Sequence, residues 1–493
     1  MGIEIEDKFD VPAEYVIPDL SGLADVVGPK SYQLVALYYD TPDLRLAARG
    51  VTLRRRRGGA DPGWHLKLPK AKGARQEITH PLTPSTKVVP SALAELVRAY
   101  TRGVELQPVA ELDTRRTVTL LLDGETRLAE IADDRVKGTA FKKDEPEIVR
   151  WREVEAELLE GGTPALLTKV GKRLRKAGAT PSEAASKLAR LLKPAPPAKA
   201  STKAGTAGEV VVNYLASQVA ALLAQDPRVR RAEDDAVHQA RVAARRLRSA
   251  LKAFKTVVVD TEQIQEELRW LGAVLGEARD LEVTRARFAK LLAGLAPELV
   301  TGPIQNRLGS DLLKREEEAY GRIKEALSGD RYYALLNALD DLVSSPNLGK
   351  AAAKPAQERL SAIAAANWER VTRTYDNAQA IADPERREIA MHDVRKAAKR
   401  ARYTAEALQP TLGADMAKLA KLAEDIQEVL GTHQDGVVAQ ETLAKEAETA
   451  RQAGEDTFTY GLLIGIERSA AERAHADFPR VWAETVKAVR KAL

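Results

Sequence analysis

Residues 3–9 read IEIEDKF. Because a strand points successive side chains to opposite faces, Glu4, Glu6 and Lys8 would share one face, with the isoleucines and Phe9 on the other. An ordinary sheet leaves such a charged face in water. Burying two carboxylates and an ammonium is costly unless each group finds a partner. Repetition of the pattern on later strands would therefore indicate a charged interior built to hold metal ions and a polyanion.

Later segments do place charged residues at alternate positions. Cations dominate in VTLRRRR, HLKLP and ARQEI, whereas LAEIADDRV and REVEAELLEG supply carboxylates, and TRRTVTLLL contributes Arg115 or Arg116. Water-exposed faces explain any one strand, but they explain less well why short ladders of both signs recur. The charged positions predicted to share these faces are Arg54, Arg56, Lys67, Arg75, Glu77, Glu130, Asp134, Glu153, Glu155 and Glu157.

Composition limits the class of protein. A chain of 493 residues is long enough for two or more domains. The absence of cysteine excludes disulfides and thiolate metal sites and fits a reducing cytoplasm, where we expect the protein to reside. No secretory signal or apolar run of ~20 residues is visible, so no membrane association is expected. The net charge is only +5, so attraction for a polyanion must come from local clusters.

The texture of the sequence changes near its middle. The stretch KPAPPAKASTKAGTAG, residues 193–208, is rich in Pro, Ala, Gly, Ser and Thr and predicts a flexible linker. Before it, strand patterns alternate with short helices, one over 90–100 and one beginning at Thr180 and Pro181. After it, helical periodicity persists. We predict a first domain over 1–193, a linker over 194–208 and an all-helical domain over 209–493.

The helical part contains an internal repeat. HQARVAARRLRSAL begins at His238, and HDVRKAAKRARYTAEAL begins at His392, an offset of 154 residues (392 − 238). LGEARDLEV begins at Leu275 and LGTHQDGVV at Leu430, an offset of 155 (430 − 275). Two tandem units, about 209–350 and 355–493, are the simplest interpretation.

Each repeat carries a helix with a cationic stripe. Like charges recur at i,i+3 and i,i+4, which destabilises a helix unless an anion bridges them, although a solvated face is the common alternative. Glu406 replaces the first repeat's Lys252, so we expect weaker anion binding there. The stripes lack base-reading amides and interleaved aromatics, so nucleic acid is an unlikely partner. A chain of phosphates suits them better. The predicted contacts are His238, Arg241, Arg245, Arg246, Arg248, Lys252, His392, Arg395, Lys396, Lys399, Arg400 and Arg402.

These motifs resemble two known families. The opening Glu4-x-Glu6-x-Lys8 and the ordered strands after it resemble the CYTH, or triphosphate tunnel metalloenzyme, family over about 1–193. The two His-x-x-Arg units resemble the CHAD family over about 209–493, a helical module associated with inorganic polyphosphate. The order of the two resembles bacterial inorganic triphosphatases. The resemblance implies an α+β domain built as an antiparallel β-barrel tunnel, followed by an all-α bundle with internal duplication.

The resemblance also implies a reaction and its residues. A metal-dependent triphosphatase would hydrolyse tripolyphosphate to pyrophosphate and phosphate, with Mg²⁺ or Mn²⁺ as the ion. The phosphoryl oxygens would be held by Lys8, Arg54, Arg56, Lys67, Arg75 and Arg115, with Arg116 as the alternative to Arg115, and by Lys187 from the helix after the last strand. The metal would be held by Glu4, Glu6, Glu130, Asp134, Glu153, Glu155 and Glu157.

Two other functions stay open. A related tunnel enzyme, such as a class IV adenylyl cyclase or a thiamine triphosphatase, would need a pocket for a base or a thiazole. A scaffold that binds polyphosphate without turnover would use the helical domain alone. Of the histidines, His65 and His80 are predicted to be structural, His238 and His392 to contact phosphate or pack, and His433 is not required by the repeat.

Overall fold

The computed structural model describes residues 2–71, 74–142 and 144–492, with the side chains of all but residues 2–4, 71 and 492. The chain divides into two compact units, Met1–Ala198 and Lys199–Leu493. The first is built on β-strands and the second on helices. This confirms the predicted fold class, an α+β antiparallel barrel followed by an all-α domain.

The first unit contains one antiparallel sheet. Its strand order is β5-β4-β3-β2-β6-β7-β8-β1-β9, and a further pairing of β5 with β1 closes eight strands into a barrel. Residues 2–5 of β1 pair with β5, and residues 6–10 pair with β8. The strands are β1 (Gly2–Asp10), β2 (Asp25–Asp40), β3 (Thr52–Arg57), β4 (Gly63–Ala71), β5 (Ala74–His80), β6 (Gln107–Asp123), β7 (Thr126–Ala140), β8 (Glu147–Leu158) and β9 (Thr180–Pro181).

The described residues of the first unit also form five short α-helices. Thr163 caps α4 by accepting a hydrogen bond from the Leu166 amide, with Pro164 at the first helical position. Ser186 caps α5 in the same way, through the amide of Ala189. The helices are α1 (Arg45–Ala48), α2 (Ser91–Ala94), α3 (Arg98–Thr101), α4 (Pro164–Lys176) and α5 (Lys187–Leu192), with a 3₁₀ turn at Glu95–Val97.

The predicted helix start at Thr180 and Pro181 is wrong. These two residues form β9, which pairs with Phe9 and Asp10 of β1. The amide of Ser182 donates to the carbonyl of Lys8, so the segment extends the sheet edge. Extension of a sheet edge satisfies backbone groups that a helical first turn would leave open.

The apolar core of this unit lies against the outer wall of the barrel. Phe9, Ile131 and Val154 are buried there against Val170 and Leu174 of α4. Alternate residues of the same strands carry the charges, which therefore face the bore. The usual arrangement of a small barrel, with hydrocarbon filling its interior, is reversed over most of its length.

Helix α5 closes one end of the bore. Its Leu188 and Leu191 are buried in a cluster with Tyr38, Leu112 and Val136, which project inward from β2, β6 and β7. Apolar packing fixes the helix there. Lys187, the first residue of α5, is thereby held at the edge of the charged interior.

The second unit is helical throughout, with two isolated β-bridges. One of its cores joins α8, α13 and α14 around Phe288, Leu443 and Leu463. Among the described residues, α6 has the length and apolarity of a membrane span, and 44% of its apolar window is buried within the unit. The helices are α6 (Ala207–Arg230), α7 (Ala236–Ala253), α8 (Glu262–Ala293), α9 (Leu312–Ala326), α10 (Asp330–Ser344), α11 (Ala356–Gln379), α12 (Pro384–Leu412), α13 (Ala414–Gln452) and α14 (Phe458–Ala492).

Candidate functional site

The barrel encloses a charged cavity of about 360 Å³. Every strand of the barrel contributes side chains to its wall. Its volume lies in the range of pockets that hold small molecules. The charged residues that line it are Glu6, Lys8, Arg54, Arg56, Asp61, Lys67, Arg75, Glu77, Arg116, Arg127, Glu130, Glu155, Glu157 and Lys187.

Three buried carboxylates form a cluster at the side of this cavity. Asp134 of β7 is paired in register with Glu153 of β8, and Glu155 lies two residues further along β8. One oxygen from each lies within 4.8 Å of the others, close enough for the three to share a metal ion. The side chains of Asp134, Glu153 and Glu155 are at most 10% exposed. Such a cluster requires positive charge beside it.

Lys187 supplies part of that charge. Its ammonium lies 2.9 Å from Asp134, 2.7 Å from Glu153 and 2.7 Å from Glu155. It is 11% exposed, so these three contacts are largely shielded from water. The first residue of a six-residue helix thus places a cation among three acids on two strands. The helix is held in place by the apolar contacts of Leu188 and Leu191.

Arg116 and Lys8 complete the neutralisation. The Arg116 guanidinium donates to both oxygens of Asp134 at 2.8 and 2.6 Å and to Glu155 at 2.6 Å. Lys8 is the register partner of Glu155 and donates to its carboxylate; it also lies 3.1 Å from Glu6. Cross-strand neighbours of opposite sign therefore tie β1, β6, β7 and β8 together inside the barrel.

The pKa values follow from this balance of burial and charge. Burial would raise the pKa of Glu155, but the Lys187 and Lys8 ammonium groups outweigh it and hold that pKa well below its usual range. The same competition lowers the pKa of Asp134, with Lys187 and Arg116 as the opposing cations. Burial would lower the pKa of Lys187, but Asp134 and Glu155 raise it above its ordinary value. At neutral pH all of these groups are charged.

A second group of cations lies on β3, β4 and β5. Arg54 donates to the Tyr38 hydroxyl at 3.4 Å, and Arg56 pairs with Asp61. The Nε atoms of both arginines are buried and have no hydrogen-bond partner in the described part of the chain. Burial and the neighbouring Arg54 lower the pKa of Arg56. This wall of the cavity therefore carries more positive charge than its carboxylates neutralise.

Further contacts fix the remaining side chains of this wall. Lys67 lies 3.7 Å from Glu77, which also contacts His65 Nδ1 at 2.9 Å. The Nε2 of His65 lies 3.1 Å from the carbonyl oxygen of Asp61. Arg75 donates to the carbonyl of Ala185, just before α5. His65 is 1% exposed with both ring nitrogens engaged, as a structural histidine requires.

In the helical unit, α7 and α12 pack against each other and bring their basic stripes together. The pKa of Lys399 on α12 reflects this close approach of the two stripes. Burial, followed by Arg245 of α7 and Arg395 of α12, lowers the pKa of Lys399 to about 8. The Nε atoms of Arg245 and Arg395 are buried and lack hydrogen-bond partners among the described residues. Cations of the two repeats thus face one another across a shared surface.

A second part of the surface draws on other helices. Burial, followed by Arg248 and Arg400, lowers the pKa of Lys252, and Arg269 and Arg370 act in the same direction. Arg269 and Arg370 come from α8 and α11, outside the repeated motif. Their positions follow from helix packing, so their own sequence context gives no signal of the role. We name this surface, carrying Arg241, Arg245, Arg248, Lys252, Arg370, Arg395, Lys399 and Arg400, the basic face.

The repeated LG motifs position one arginine in each half of the basic face. Arg241 donates to the Gly276 carbonyl at 3.4 Å and to Asp280 at 2.8 Å. A Cβ atom at Gly431 would lie 3.1 Å from the guanidinium of Arg395, which is 3.9 Å from Asp435. The glycines therefore let each guanidinium lie directly on the next helix, where an aspartate pairs with it.

Comparison with known proteins identifies a family for each of the two units of the chain. The CYTH family model matches residues 2–192, and the CHAD family model matches residues 213–444. An uncharacterized protein of Mycobacterium tuberculosis is 39% identical over 510 residues, which cover 99% of this chain and 98% of that protein. The chain is a CYTH–CHAD protein. Members of the CYTH family are metal-dependent tunnel enzymes that act on triphosphates, and some are triphosphatases.

Solved structures related to this CYTH–CHAD protein include two of moderate similarity. PptA from Streptomyces chartreusis has 24% sequence identity and a TM-score of 0.46, over 56% of this chain and 99% of that chain. The CHAD domain from the plant Ricinus communis has 24% identity and a TM-score of 0.47, over 58% of this chain and 95% of that chain.

Among the described residues, the CYTH barrel places the predicted tunnel cation Arg115 differently from the expectation. Its side chain lines an outer depression with Thr117, Asp133 and Arg135, whereas Arg116 lies in the cavity. The expectation that Arg115 faces the bore is therefore wrong, and Arg116, the alternative residue, lies there instead. The strand pattern could not settle this one-residue register, because both positions are arginine.

Apart from Glu4, the other CYTH residues predicted to hold phosphate or metal share the interior face. Asp134 and Glu153 lie behind the lining and contact it through Lys187. The side chain of Glu4 lies outside the described residues, although its backbone pairs with Arg75. Sequence reasoning missed Asp61, which lies in a turn without periodicity, and it noted Glu77 without assigning it a role.

Three CHAD residues predicted to contact polyphosphate instead form ion pairs with carboxylates of the protein. Glu406 accepts hydrogen bonds from Arg246 at 2.7 Å and from Arg402 at 2.7 Å. Arg402 also contacts Glu424 at 2.8 Å. Lys396 pairs with Asp393 at 3.1 Å and is 65% exposed. Charges already paired with carboxylates attract a polyanion less, so these positions are weaker candidates than their neighbours Arg245 and Lys399.

The two histidines that begin the repeated CHAD motifs, His238 and His392, lie beside arginines. Burial, followed by Arg279, lowers the pKa of His238. Burial, followed by Lys396 and Arg395, lowers the pKa of His392. Both rings are neutral at pH 7 and stand among cations, a setting that disfavours a bound metal ion.

Proposed function

We propose that this protein is a metal-dependent inorganic triphosphatase that hydrolyses tripolyphosphate to pyrophosphate and phosphate. We further propose that its CHAD domain binds inorganic polyphosphate. The observation that carries the proposal is the convergence of cations and carboxylates on one enclosed cavity of about 360 Å³. An anion with many charges and a metal counterion needs both kinds of group at once.

The cations would hold the substrate. The Nε atoms of Arg54 and Arg56 are buried and find no partner in the part of the chain that the structure describes, and guanidinium groups bind phosphoryl oxygens in pairs. Lys67 and Arg75 would extend this contact along β4 and β5. Arg116 and Lys8 would approach from the opposite wall. In the reaction, a water oxygen bonds to the terminal phosphorus as the bond from that phosphorus to the bridging oxygen breaks, so pyrophosphate leaves.

The carboxylates would hold the metal. All of the donors are oxygens, which suits Mg²⁺ or Mn²⁺. The bound ion would neutralise charge that develops on the phosphoryl oxygens and lower the pKa of a water molecule. Asp134, Glu153 and Glu155 already share the ammonium of Lys187. An ion would therefore compete with Lys187 there or sit nearer the open cavity, and the full set is Glu4, Glu6, Glu130, Asp134, Glu153, Glu155 and Glu157.

As the alternative to binding the metal, Glu130 is suited to accept the proton of the attacking water. Burial raises its pKa above the ordinary value, although Arg116, 3.8 Å away, opposes the shift. A carboxylate of raised pKa is a stronger base than its neighbours. Glu130 lines the cavity and is 27% exposed, so water can reach it. Glu155, whose pKa is held low, is a poor base by the same argument.

The basic face of the CHAD domain would bind polyphosphate. Arg245, Lys399 and Arg400 make no ion pair among the residues that the structure describes. Burial and the nearby arginines Arg245 and Arg395 lower the pKa of Lys399, so bringing a polyanion there would relieve repulsion. Binding through many phosphates depends steeply on salt. Such a domain could localise the enzyme or retain its substrate.

The test is turnover by the purified full chain. Tripolyphosphate, ATP and thiamine triphosphate are offered with Mg²⁺, with Mn²⁺ and with EDTA, and phosphate and pyrophosphate are quantified. We expect metal-dependent release of both products from tripolyphosphate, lost in Glu6→Gln/Glu130→Gln but kept in the exposed control Glu160→Gln. Pyrophosphate and cyclic AMP from ATP would instead identify a cyclase, and preference for thiamine triphosphate a thiamine triphosphatase. No turnover of any substrate, with tight polyphosphate binding, would overturn the enzyme in favour of a scaffold.

A further inference from the structure

Three donor side chains converge in the second repeat, outside the tunnel and the basic face. Glu388 lies in α12, His433 in α13 and His475 in α14. The Nδ1 of His433 lies 2.9 Å from Oε1 of Glu388, and the two imidazole centroids are 5.3 Å apart. One donor atom of each residue lies within 4.8 Å of the others. We infer that this cluster binds a divalent transition-metal ion of the zinc class.

The donor types select the ion. Two imidazole nitrogens and one carboxylate suit Zn²⁺ and its neighbours Co²⁺, Ni²⁺ and Cu²⁺, whereas Mg²⁺ and Ca²⁺ prefer all-oxygen sites. The tunnel cluster of Asp134, Glu153 and Glu155 has the opposite character. The protein would therefore carry two metal sites of different preference, one in each unit.

The geometry requires small movements. A tetrahedral ion with bonds of about 2.1 Å holds its ligands about 3.4 Å apart. The distance of 2.9 Å between His433 and Glu388 and the 4.8 Å limit bracket that value. The Glu388 side chain is 44% exposed and can rotate toward the ion, whereas the His433 side chain is 18% exposed and is held more firmly by its neighbours. Three protein ligands leave a fourth position for water or an anion.

The local charges favour a cation. Within the described chain, Glu388 contacts the His433 ring and makes no ion pair with lysine or arginine. The adjacent Arg387 donates instead to the carbonyl oxygens of Ile381 at 2.9 Å and Ala382 at 3.4 Å. In the tunnel cluster, by contrast, the ammonium of Lys187 already lies among the carboxylates. The second-repeat cluster offers a metal ion no such internal competitor.

The repeat itself does not explain His433. The first repeat has Ala278 where the second has His433, and Ala278 is 1% exposed in its helix packing. An alanine therefore satisfies the fold at this position. The imidazole of His433 instead points to a neighbour on α12 and a ring on α14, so the site joins three helices of one repeat.

The test titrates Zn²⁺ into the full chain by calorimetry at neutral pH, with excess Mg²⁺ to occupy the tunnel carboxylates. We expect wild type to bind one Zn²⁺ that His433→Ala and His475→Ala each weaken at least about tenfold. His80→Ala, in the other unit, should keep wild-type binding, since its ring contacts the Pro81 carbonyl. Tetrahedral Co²⁺ should give a visible absorption band in wild type that both variants lose.

A further variant tests whether a loss of Zn²⁺ binding comes from misfolding rather than from loss of a ligand. Glu388→Gln keeps the shape of the side chain and should also weaken Zn²⁺ binding while leaving the metal-free melting temperature unchanged. Zn²⁺ should raise the melting temperature of wild type, because the ion would link α12, α13 and α14. Equal Zn²⁺ affinity in wild type, His433→Ala and His475→Ala would overturn the site, as would an equal loss in His80→Ala. Neither result depends on triphosphatase activity.

Discussion

The ammonium of Lys187 lies 2.9 Å from Oδ2 of Asp134, a carboxylate whose side chain has no exposed surface. The contact joins the helix that closes the bore to the strand β7 that forms its wall. It also neutralises a group that could not stay charged alone in this setting. The stability of the barrel and the chemistry of its interior therefore depend on the same ion pair.

Replacement of Lys187 by Met should destabilise the CYTH unit. Removing one partner leaves buried carboxylates uncompensated, at a cost of about 3–5 kcal/mol. Because the pKa values of Asp134 and Glu155 are lowered on folding, their pairs stabilise the protein above the ordinary carboxyl pKa of about 4, and this stability is lost as the pH falls through the lowered values. Calorimetry from neutral to acid pH should show a weaker acid dependence in Lys187→Met.

The control for this substitution is Lys172→Met, an exposed position on α4. It should leave the melting temperature and its acid dependence at wild-type values. Mn²⁺ should restore more stability to Lys187→Met than it adds to wild type, because the vacated carboxylates accept the ion. A Lys187→Met protein as stable as wild type in EDTA would contradict the assignment of this pair.

Arg116 and Arg115 provide a matched test of the tunnel. Their backbones are adjacent, but Arg116 contacts Asp134 and Glu155 in the bore, whereas Arg115 lies outside. Arg116→Ala should lower kcat/KM for tripolyphosphate by at least about 100-fold, since it removes a donor to transition-state charge. Arg115→Ala should stay within about twofold of wild type, a bound that we set from its exposed position. Steady-state phosphate release measures both.

Circular dichroism spectra of both arginine variants must match wild type for this comparison to hold. Arg116→Lys keeps the charge without the paired guanidinium contacts and should recover part of the activity. If Arg115→Ala lost activity and Arg116→Ala kept it, the register of β6 in the barrel would have to be shifted by one residue.

Arg245 and Arg246 provide the same kind of pair on the helical unit. The structure describes no ion pair for Arg245, whose Nε is buried with no hydrogen-bond partner among the described residues, whereas a terminal nitrogen of Arg246 donates to Glu406 at 2.7 Å. Arg245→Ala should weaken polyphosphate binding and reduce the salt slope by about one, because one fewer counterion is released. Arg246→Ala should leave the slope unchanged. Fluorescence titrations of each variant with polyphosphate over a series of salt concentrations measure this slope.

Glu406→Gln should act in the opposite direction on the same surface. Loss of its charge frees Arg246 and, in part, Arg402, so polyphosphate should bind more tightly and with a steeper salt slope. An unchanged slope would show that these two arginines lie beyond the reach of the polyanion.

The pKa of Lys399, lowered to about 8, gives a pH test. Above that pH the free protein holds Lys399 neutral, so binding a polyanion must take up a proton. Polyphosphate affinity should therefore fall as the pH rises through 8, and proton uptake should appear in calorimetry in buffers of different ionisation enthalpy. Lys399→Arg stays charged and should flatten this dependence. A wild-type profile in Lys399→Arg would assign the titration to another group.

Alternation of charge along the strands predicted most of the tunnel, because a two-residue period is a local property. The choice between Arg115 and Arg116 needed the register of β6 against β7, which adjacent identical residues cannot reveal. The start of α5 at Lys187 depended on Thr180 and Pro181 joining β1, a contact between distant segments.

In the helical unit, too, the sequence pattern predicted the charged residues but not their tertiary contacts. The stripes on α7 and α12 followed from helical periodicity, and the weaker end at Glu406 was expected from one substitution. That Glu406 would engage Arg246 of the other repeat follows from helix packing, as do the contributions of Arg269 and Arg370. Local pattern identifies the charged residues, and tertiary packing decides which of them remain available.

The pairing of β1 with both β5 and β8 has a consequence for biosynthesis. Because β1 precedes both partners in the chain, it cannot complete its pairing during synthesis until β8, which ends at Leu158, has also emerged. Until then β1 is an incompletely paired segment with alternating charged residues, and its carboxylates oppose association with apolar segments. Charges that line the interior of the folded barrel thus also oppose aggregation of the nascent chain while the ring is open.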